Sequence, residues 1–451
     1  MDFEVLIAGA GPAGCLAARE LARRGFRVGL FDPGTREDLG KPIIVEVDLD
    51  FFSRAGVSPP SEPEIPYHPR CTRIFSARGR EAFRFTGRHP PALWLDRFAR
   101  RLLGEAERAG ARFFGGYRAR ETVRKGNRVS GAILDHQGRR EEVRARLVID
   151  ATGFEASLVR TLDPEAGIPF RDDPRDCVLA ANYLHGIDAV QAAEAVREGR
   201  QQTEETWVWL GTSGSYSTLF SHLSLSRNRA YLLAGQKADF AGPPVGEAVQ
   251  AFQQRQGYFR ERISGGTGRI RISRPLDRLA ADGFLAIGEA ASLVIPINGS
   301  GVGTALLSAD LAARVSARAL RDGEPTTASL WSFAAGFMRS QGADLAACDA
   351  IRLVTESMSS DQFAAMLEGG LSGSDDIRNL NRGQPFSFSP FSLPRRLRAM
   401  AKNPGLIAPL GRMGASALQV RALYRKYPET YDPATLAAWR EKARRLFPRR
   451  G

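Results

Sequence analysis

Six residues near the start of the chain, Gly9-Ala10-Gly11-Pro12-Ala13-Gly14, have the types and spacing to hold an anion. Gly9 permits a tight turn. Gly11 lets the backbone approach a pyrophosphate, and Gly14 lets a following helix pack close to a sheet. Asp32 stands at the distance where an acid accepts ribose hydroxyls. A second set is Gly288-Glu289 followed by Pro296-Ile297-Asn298-Gly299-Ser300-Gly301-Val302-Gly303. Three glycines before a helix expose several N–H groups in one small space, which can stabilise negative charge on a ring. A third is the small-residue turn Asp150-Ala151-Thr152-Gly153. His222 could deliver a proton at neutral pH, although a lone histidine is more often structural.

The elements around these residues put them to use. Val5-Leu6-Ile7-Ala8 is an apolar run and reads as a buried parallel strand. Leu16, Ala17, Leu21 and Ala22 follow at helical spacing, so the glycine turn opens a helix whose N–H groups face an anion. Phe26 to Phe31 is a second strand, ending at Asp32. Strand, turn, helix, strand and acid together define a dinucleotide site. The motif alone does not separate FAD from NAD; its place at the start of the chain and the FAD-type segments further on favour FAD. Residues 146–149 form a strand running into Asp150, residues 283–287 a strand ending at Gly288-Glu289, and residues 304–320 a helix.

Lys41-Pro42-Ile43-Ile44-Val45-Glu46 reads as a loop covering the cofactor, followed by a short helix over 50–56. Residues 72–75 and 81–85 read as strands, and 96–110 as an amphipathic helix with Arg97 near its start. Four runs, 177–183, 206–210, 216–220 and 230–234, read as an antiparallel sheet, with a helix over 242–254. Its aromatic residues Trp207, Trp209, Tyr216 and Phe220 are the candidate substrate contacts, and Tyr216 and His222 the candidate catalytic pair. The fold class is therefore α/β: a Rossmann-like FAD-binding domain with an inserted antiparallel-sheet substrate domain and a helical C-terminal region. The expected divisions are 1–168 (with substrate-domain strands near 70–95), 169–267, 268–325 returning to the FAD domain, and 326–451.

At 451 residues, 43% hydrophobic and 25% charged, the chain is long enough for two or three lobes and ordinary for a globular protein. The acidic start Met1-Asp2-Phe3-Glu4 and the lack of a membrane-spanning apolar run lead us to expect a cytoplasmic protein. Cys15, Cys71, Cys177 and Cys348 show no metal spacing and suit a reducing compartment. Charge is uneven: residues 395–451 hold 14 Lys and Arg against 3 Asp and Glu, a net +11 of the chain's +13. Such a tail calls for an anionic partner, either a membrane inner face with peripheral contact or an acidic electron carrier, unless it is only a solvated face. It has no base-reading module, so nucleic acid is not expected.

Taken together, the segments resemble the geranylgeranyl reductase family, within the flavoproteins built like p-hydroxybenzoate hydroxylase. The resemblance rests on Val148-Ile149-Asp150-Ala151-Thr152-Gly153-Phe154, on Gly288-Glu289 with residues 296–303, and on the tail Leu423-Tyr424-Arg425-Lys426-Tyr427-Pro428 with Trp439-Arg440. It implies FAD-dependent reduction of isoprenoid double bonds, with hydride from reduced flavin N5 to one carbon and a proton to the other. It also implies cofactor contacts at Gly9, Gly11, Pro12, Ala13, Gly14, Asp32, Lys41, Arg97 (near the pyrophosphate), Ala151, Gly153, Gly288, Glu289, Pro296, Gly299, Gly301, Val302 and Gly303. Three departures stand out. Glu289 replaces the family's usual Asp. Ile43 stands where members often carry Cys after Lys-Pro. The stretch Tyr216-Ser217-Thr218-Leu219-Phe220 keeps the Tyr and Phe of a YxWxFPK-like strand but loses its Trp, Pro and Lys.

Three readings compete. In a flavin-dependent monooxygenase, a His often follows the Gly-acid motif; here Ala290-Ala291-Ser292 does. In a flavin-dependent halogenase, a WxWxIP signature is expected; Trp207-Val208-Trp209-Leu210-Gly211 resembles only its first half. A non-catalytic, membrane-associated flavin or lipid binder would rely on the basic tail. NAD(P)H as direct donor has no second nucleotide motif to support it.

Overall fold

The computed structural model describes residues 2–87, 89–162, 168–170, 172–211, 217–371, 374–385 and 400–447. Val5, Leu6, Ile7 and Ala8 are fully buried because their strand, Asp2–Ala8, lies inside a parallel sheet. It pairs with Arg139–Asp150 on one side and Val28–Asp32 on the other. Phe284–Ala286 and Arg112–Gly115 extend the sheet in parallel, and Ala280–Ala281 closes one edge in the opposite sense. Strands covered on both faces need no polar side chain, which is why the first run has none. Helix Pro12–Ala22 packs against helix Val302–Asp322 and helix Leu95–Arg108.

Off this sheet, Tyr117–Lys125 pairs with Arg128–His136, which pairs in turn with the first half of Arg139–Asp150. The strand Tyr117–Lys125 is not expected from the sequence. Its Arg118, Arg120, Arg124 and Lys125 hide the alternation of a strand exposed along much of its length.

The second sheet has seven strands, in the order Phe259–Arg271, Cys177–Ile187, Arg229–Lys237, Ser217–Ser224, Glu205–Leu210, Cys71–Phe75, Glu81–Phe85. All neighbours are antiparallel except Glu205–Leu210 beside Cys71–Phe75. Cross-strand partners share a face. One face carries Leu219, Leu232 and Ala234 and packs on Val249 and Phe252 of helix Val245–Gln256. The other carries Asn182, Phe220, His222, Tyr231 and Leu233. Asn182, Phe220, Tyr231 and Leu233 meet or pack around Ile44 of the two-stranded ribbon Ile44–Glu46 and Ala92–Trp94, while His222 stacks on neighbouring Tyr67.

The basic C-terminal segment is welded to the body. Trp331 stacks on Tyr427, which meets Trp439 edge-on; Trp331 Nε1 donates to the Pro428 carbonyl, and Tyr427 Oη donates to the Asp277 carbonyl. Residues 395–399 and 448–451 of that segment lie outside the described residues. Among the described residues no helix is long and apolar enough to cross a membrane.

Candidate active site

Gly9 sits at φ +99, and a Cβ there would lie 2.3 Å from the Ala151 carbonyl oxygen. Only glycine accepts both the left-handed backbone and that approach. A Cβ on Gly14 would fall 1.8 Å from the Gly9 carbonyl oxygen, so helix Pro12–Ala22 can start only where it does. Gly11 differs from both: beyond its chain neighbours, no atom of the described residues lies within 4 Å of its Cβ position. Its missing side chain leaves space that the protein itself does not fill. The helix behind it has no acid in its first turn, so its free N–H groups face that space with an uncompensated positive end.

Asp32 closes this end of the cleft. Its carboxylate accepts from Ala10 N at 2.7 Å and Gly34 N at 2.8 Å, while burial pushes its pKa up. Asp150 has an internal role. It is fully buried and accepts from Thr152 N, Thr152 Oγ1, Leu158 N and Val159 N, which fixes the turn bearing Ala151 and Gly153.

The two glycine motifs meet. Gly288 is at φ +58, and its Cβ position is 3.3 Å from Ala13 Cβ and 3.6 Å from Ala305 Cβ. Glu289 follows with a carboxyl raised by burial and drawn down by the Arg271 backbone N–H, Lys41 and Arg271. Its Oε1 accepts from Arg271 N at 2.9 Å, so the longer side chain ties the parallel-sheet side to strand Phe259–Arg271. Lys41 Nζ lies 3.6 Å from the Cβ position of Gly268 on the same strand.

The loop over 296–301 is tight: Ile295 N donates to Ser300 O and Gly299 N donates to Ile295 O, both at 2.9 Å. Pro296 is buried within it. Gly299 faces Ile270 at 3.7 Å, Gly301 faces Val294 at 3.1 Å, and the Phe51 ring lies 2.3 Å from the Cβ position of Gly303. Val302 and Gly303 begin a helix that also has no acid in its first turn. A dinucleotide running from Gly11 past Gly288 to this second N-terminus would meet N–H groups at both ends. The residues present therefore fit FAD.

Some expected site residues lie elsewhere. Arg97, expected near the pyrophosphate, is exposed, donates to the Pro63 carbonyl at 2.7 Å and stacks on Trp94. Trp207 and Trp209 pair with Ser221 and Leu219, so both belong to the face covered by helix Val245–Gln256. Trp209 packs on Phe75 and Phe252. The two-residue period thus turns both tryptophans, expected to contact substrate, to the side of the sheet away from Phe220 and His222. Phe220 and His222 are on the opposite face, where Phe220 meets Tyr231 edge-on. Tyr216 lies outside the described residues.

His222 is buried and stacks on Tyr67 at 3.7 Å. Its Nδ1 is 3.2 Å from Thr206 Oγ1 and its Nε2 is 3.8 Å from Glu204 Oε2. Burial lowers its pKa more than Glu204 raises it, so the ring is neutral at pH 7. Four residues not expected from the sequence complete this wall. Asn182 Nδ2 and Tyr231 Oη donate to the Ile44 carbonyl at 2.9 and 2.7 Å, and Tyr67 and Glu46 border the same cluster. Only Glu46 leaves a sequence signal, an acid closing an apolar run.

The match to known proteins agrees with this geometry. Residues 2–326 match the model of a family described as FAD binding domain, and the chain belongs to that family of FAD-dependent oxidoreductases, with FAD as its cofactor. The digeranylgeranylglycerophospholipid reductase of Sulfolobus acidocaldarius is 23% identical, with 98% of this chain and 96% of that protein aligned. A geranylgeranyl bacteriochlorophyll reductase-like protein from Thermoplasma acidophilum has the same fold, with TM-score 0.71 at 18% identity over 91% of this chain and 99% of that one. A flavin-dependent brominase shares it at TM-score 0.62 and 17% identity, over 90% and 99% of the two chains.

Proposed function

We propose that the protein reduces carbon–carbon double bonds of an isoprenoid or other apolar, lipid-like substrate. The observation that carries this reading is the apolar cluster packed on the ribbon Ile44–Glu46, the segment that leads on to Phe51 against Gly303. Phe220, Tyr231, Leu233, Leu184, Tyr67 and Trp94 form one largely apolar cluster around Ile44, suited to an alkene that offers no polar handle. The near full-length alignment with a digeranylgeranyl lipid reductase supports the same substrate class.

FAD, once reduced, supplies hydride to an alkene carbon. The chain supplies the rest. Gly11, Pro12, Ala13 and Gly14 hold the pyrophosphate at a helix N-terminus, and Asp32 takes the ribose. Gly288, Glu289 and Lys41 flank the ribitol, with Ala151 and Gly153 behind it. Pro296, Gly299, Gly301, Val302 and Gly303 support the ring edge, where N–H groups stabilise charge on the reduced form. Phe220 and its neighbours position the alkene and exclude water. In the test, the reduced holoprotein is incubated without oxygen with a geranylgeranyl glycerophospholipid, and product mass is followed. Gains of two hydrogens per double bond are expected; unchanged lipid mass with intact reduced FAD contradicts the reading.

A second reading, a monooxygenase or halogenase acting on a small apolar substrate, draws on the fold shared with the brominase. Oxygen or halogen incorporated into product, with no mass gain of two, would replace the first reading by this one.

The tail adds a membrane contact to the proposal. Helix Ile407–Tyr424 exposes Ile407 and Leu418, 49% and 59% accessible, beside exposed Arg412, Arg425 and Lys426. Apolar side chains bordered by cations suit an anionic lipid surface. Flotation with anionic vesicles at low salt is expected, and protein left at the bottom of the gradient argues against it. Binding to an acidic electron carrier instead would assign the same charge to docking.

A further inference from the structure

The segment that joins the two halves of the cleft contains an acid to which the reading above gives no task. Strand Ile44–Glu46 is held to the second sheet by Asn182 and Tyr231 through Ile44. Three residues further on, helix Leu49–Arg54 lays Phe51 on Gly303. Glu46 therefore lies on the segment that links Gly303, where the proposed flavin ring would end, to the apolar cluster of the second sheet.

One of the two Glu46 carboxyl oxygens, Oε1, is shut off from water and makes no hydrogen bond, while the residue as a whole is partly exposed and so within reach of water. The hydroxyl of neighbouring Tyr67 is also buried and unpartnered. The titratable groups turned toward Glu46 are the phenols of Tyr67 and Tyr231. Tyr231 Oη is engaged with Ile44 and Asn182, Tyr67 lies under the ring of neutral His222, and both phenols feel the Glu46 charge. Ala92 faces it across the ribbon, and on its own strand Ile44 and Val45 are apolar. Lys41, the cation of the preceding loop, acts on Glu289 instead. Among the described residues no cation compensates Glu46, and burial alone raises its pKa from 4.5 to about 8.

We propose that Glu46 is the proton donor of the reaction, delivering the proton on its carboxyl to the alkene carbon that does not receive hydride. The role rests on the reductase reading. The π bond of the alkene breaks; one new C–H bond takes the hydride of reduced FAD and the other takes the Glu46 proton. The substrate gains two electrons, the flavin loses two, and the carboxylate recovers its proton from water before the next cycle.

The test pairs Glu46→Gln, which is isosteric and cannot donate a carboxyl proton, with Glu46→Asp. Infrared spectra of wild-type protein, with or without FAD, should show a protonated-carboxyl band that titrates near pH 8 and is missing in E46Q. A carboxyl whose folded value is raised contributes its full stability below the unfolded value of 4.5 and loses it as pH rises through about 8. Wild-type melting temperature should therefore fall over that window and the E46Q value should not. Turnover of reduced holoprotein should drop at least ~100-fold in E46Q and partly recover in E46D, with FAD affinity unchanged. Active wild type with an unimpaired E46Q variant, or an infrared band that survives in E46Q, overturns the donor role alone. Wild type that binds FAD and shows the Glu46 band yet reduces no isoprenoid lipid overturns the reductase reading, and the donor role with it.

Discussion

The two ends of the cleft are built from different materials. The end near Gly9 and Gly288 is backbone: bare N–H groups, positive φ angles and contacts that tolerate no Cβ. The end near Ile44 is side chain: Asn182, Tyr231, Tyr67 and Glu46, drawn from segments far apart in sequence. A backbone site depends on local spacing and fits any molecule with the same phosphates. A side-chain site depends on tertiary packing and distinguishes among substrates. On the proposed reading, the first end sets the cofactor and the second sets the reaction.

Substitutions at the two ends should therefore fail in different ways. The largest effect is expected from Gly14→Ala, whose Cβ would fall 1.8 Å from the Gly9 carbonyl oxygen. Overpacking there should cost ~3 kcal/mol and abolish flavin retention, read by thermal melts and by absorbance of the purified protein. Trp209→Ala should cost about 2–3 kcal/mol by opening a cavity against Phe75 and Phe252. Its KM should remain near wild type, because the ring is behind the sheet; a selective rise in KM would return Trp209 to the substrate. Asn182→Ala should cost about 2 kcal/mol, since the Ile44 N–H loses its 3.3 Å partner. It should also lower turnover more than FAD affinity, which separates the two ends directly.

The smallest effect concerns acid stability. Glu204 is held at about 2, first by His222 and then by the hydroxyls of Ser224 at 2.7 Å and Ser226 at 3.1 Å. A depressed carboxyl contributes stability above its unfolded value of 4.5 and loses it as pH falls toward about 2. Glu204→Gln should thus cost about 1 kcal/mol at pH 7, after screening at a partly exposed site, and flatten the melting curve between those pH values.

The same contrast explains what was legible in the sequence. The opening turn, Asp32 and residues 288–303 can be read because each is a local pattern with a backbone reason. Trp207 and Trp209 could not be assigned a face, since both sides of that sheet are covered and a period of two does not say which side is which. Arg97 occupies the expected helix, but its rotamer and its contact with Pro63 are tertiary facts. Tyr67, Asn182 and Tyr231 carry no motif; their roles arise where three segments meet at Ile44. The excess charge of the tail is plain from composition, whereas its docking through Trp331, Tyr427 and Trp439 is not.

Flavin titration of the Gly11→Val variant tests the cofactor path most directly, because beyond its chain neighbours no atom of the described residues lies within 4 Å of that Cβ position. The side chain should leave the melting temperature of the apoprotein where it is and weaken FAD binding at least ~100-fold, since only a bound pyrophosphate would meet it. Wild-type affinity in a correctly folded variant would place the dinucleotide somewhere other than between the opening turn and the glycines near residue 300.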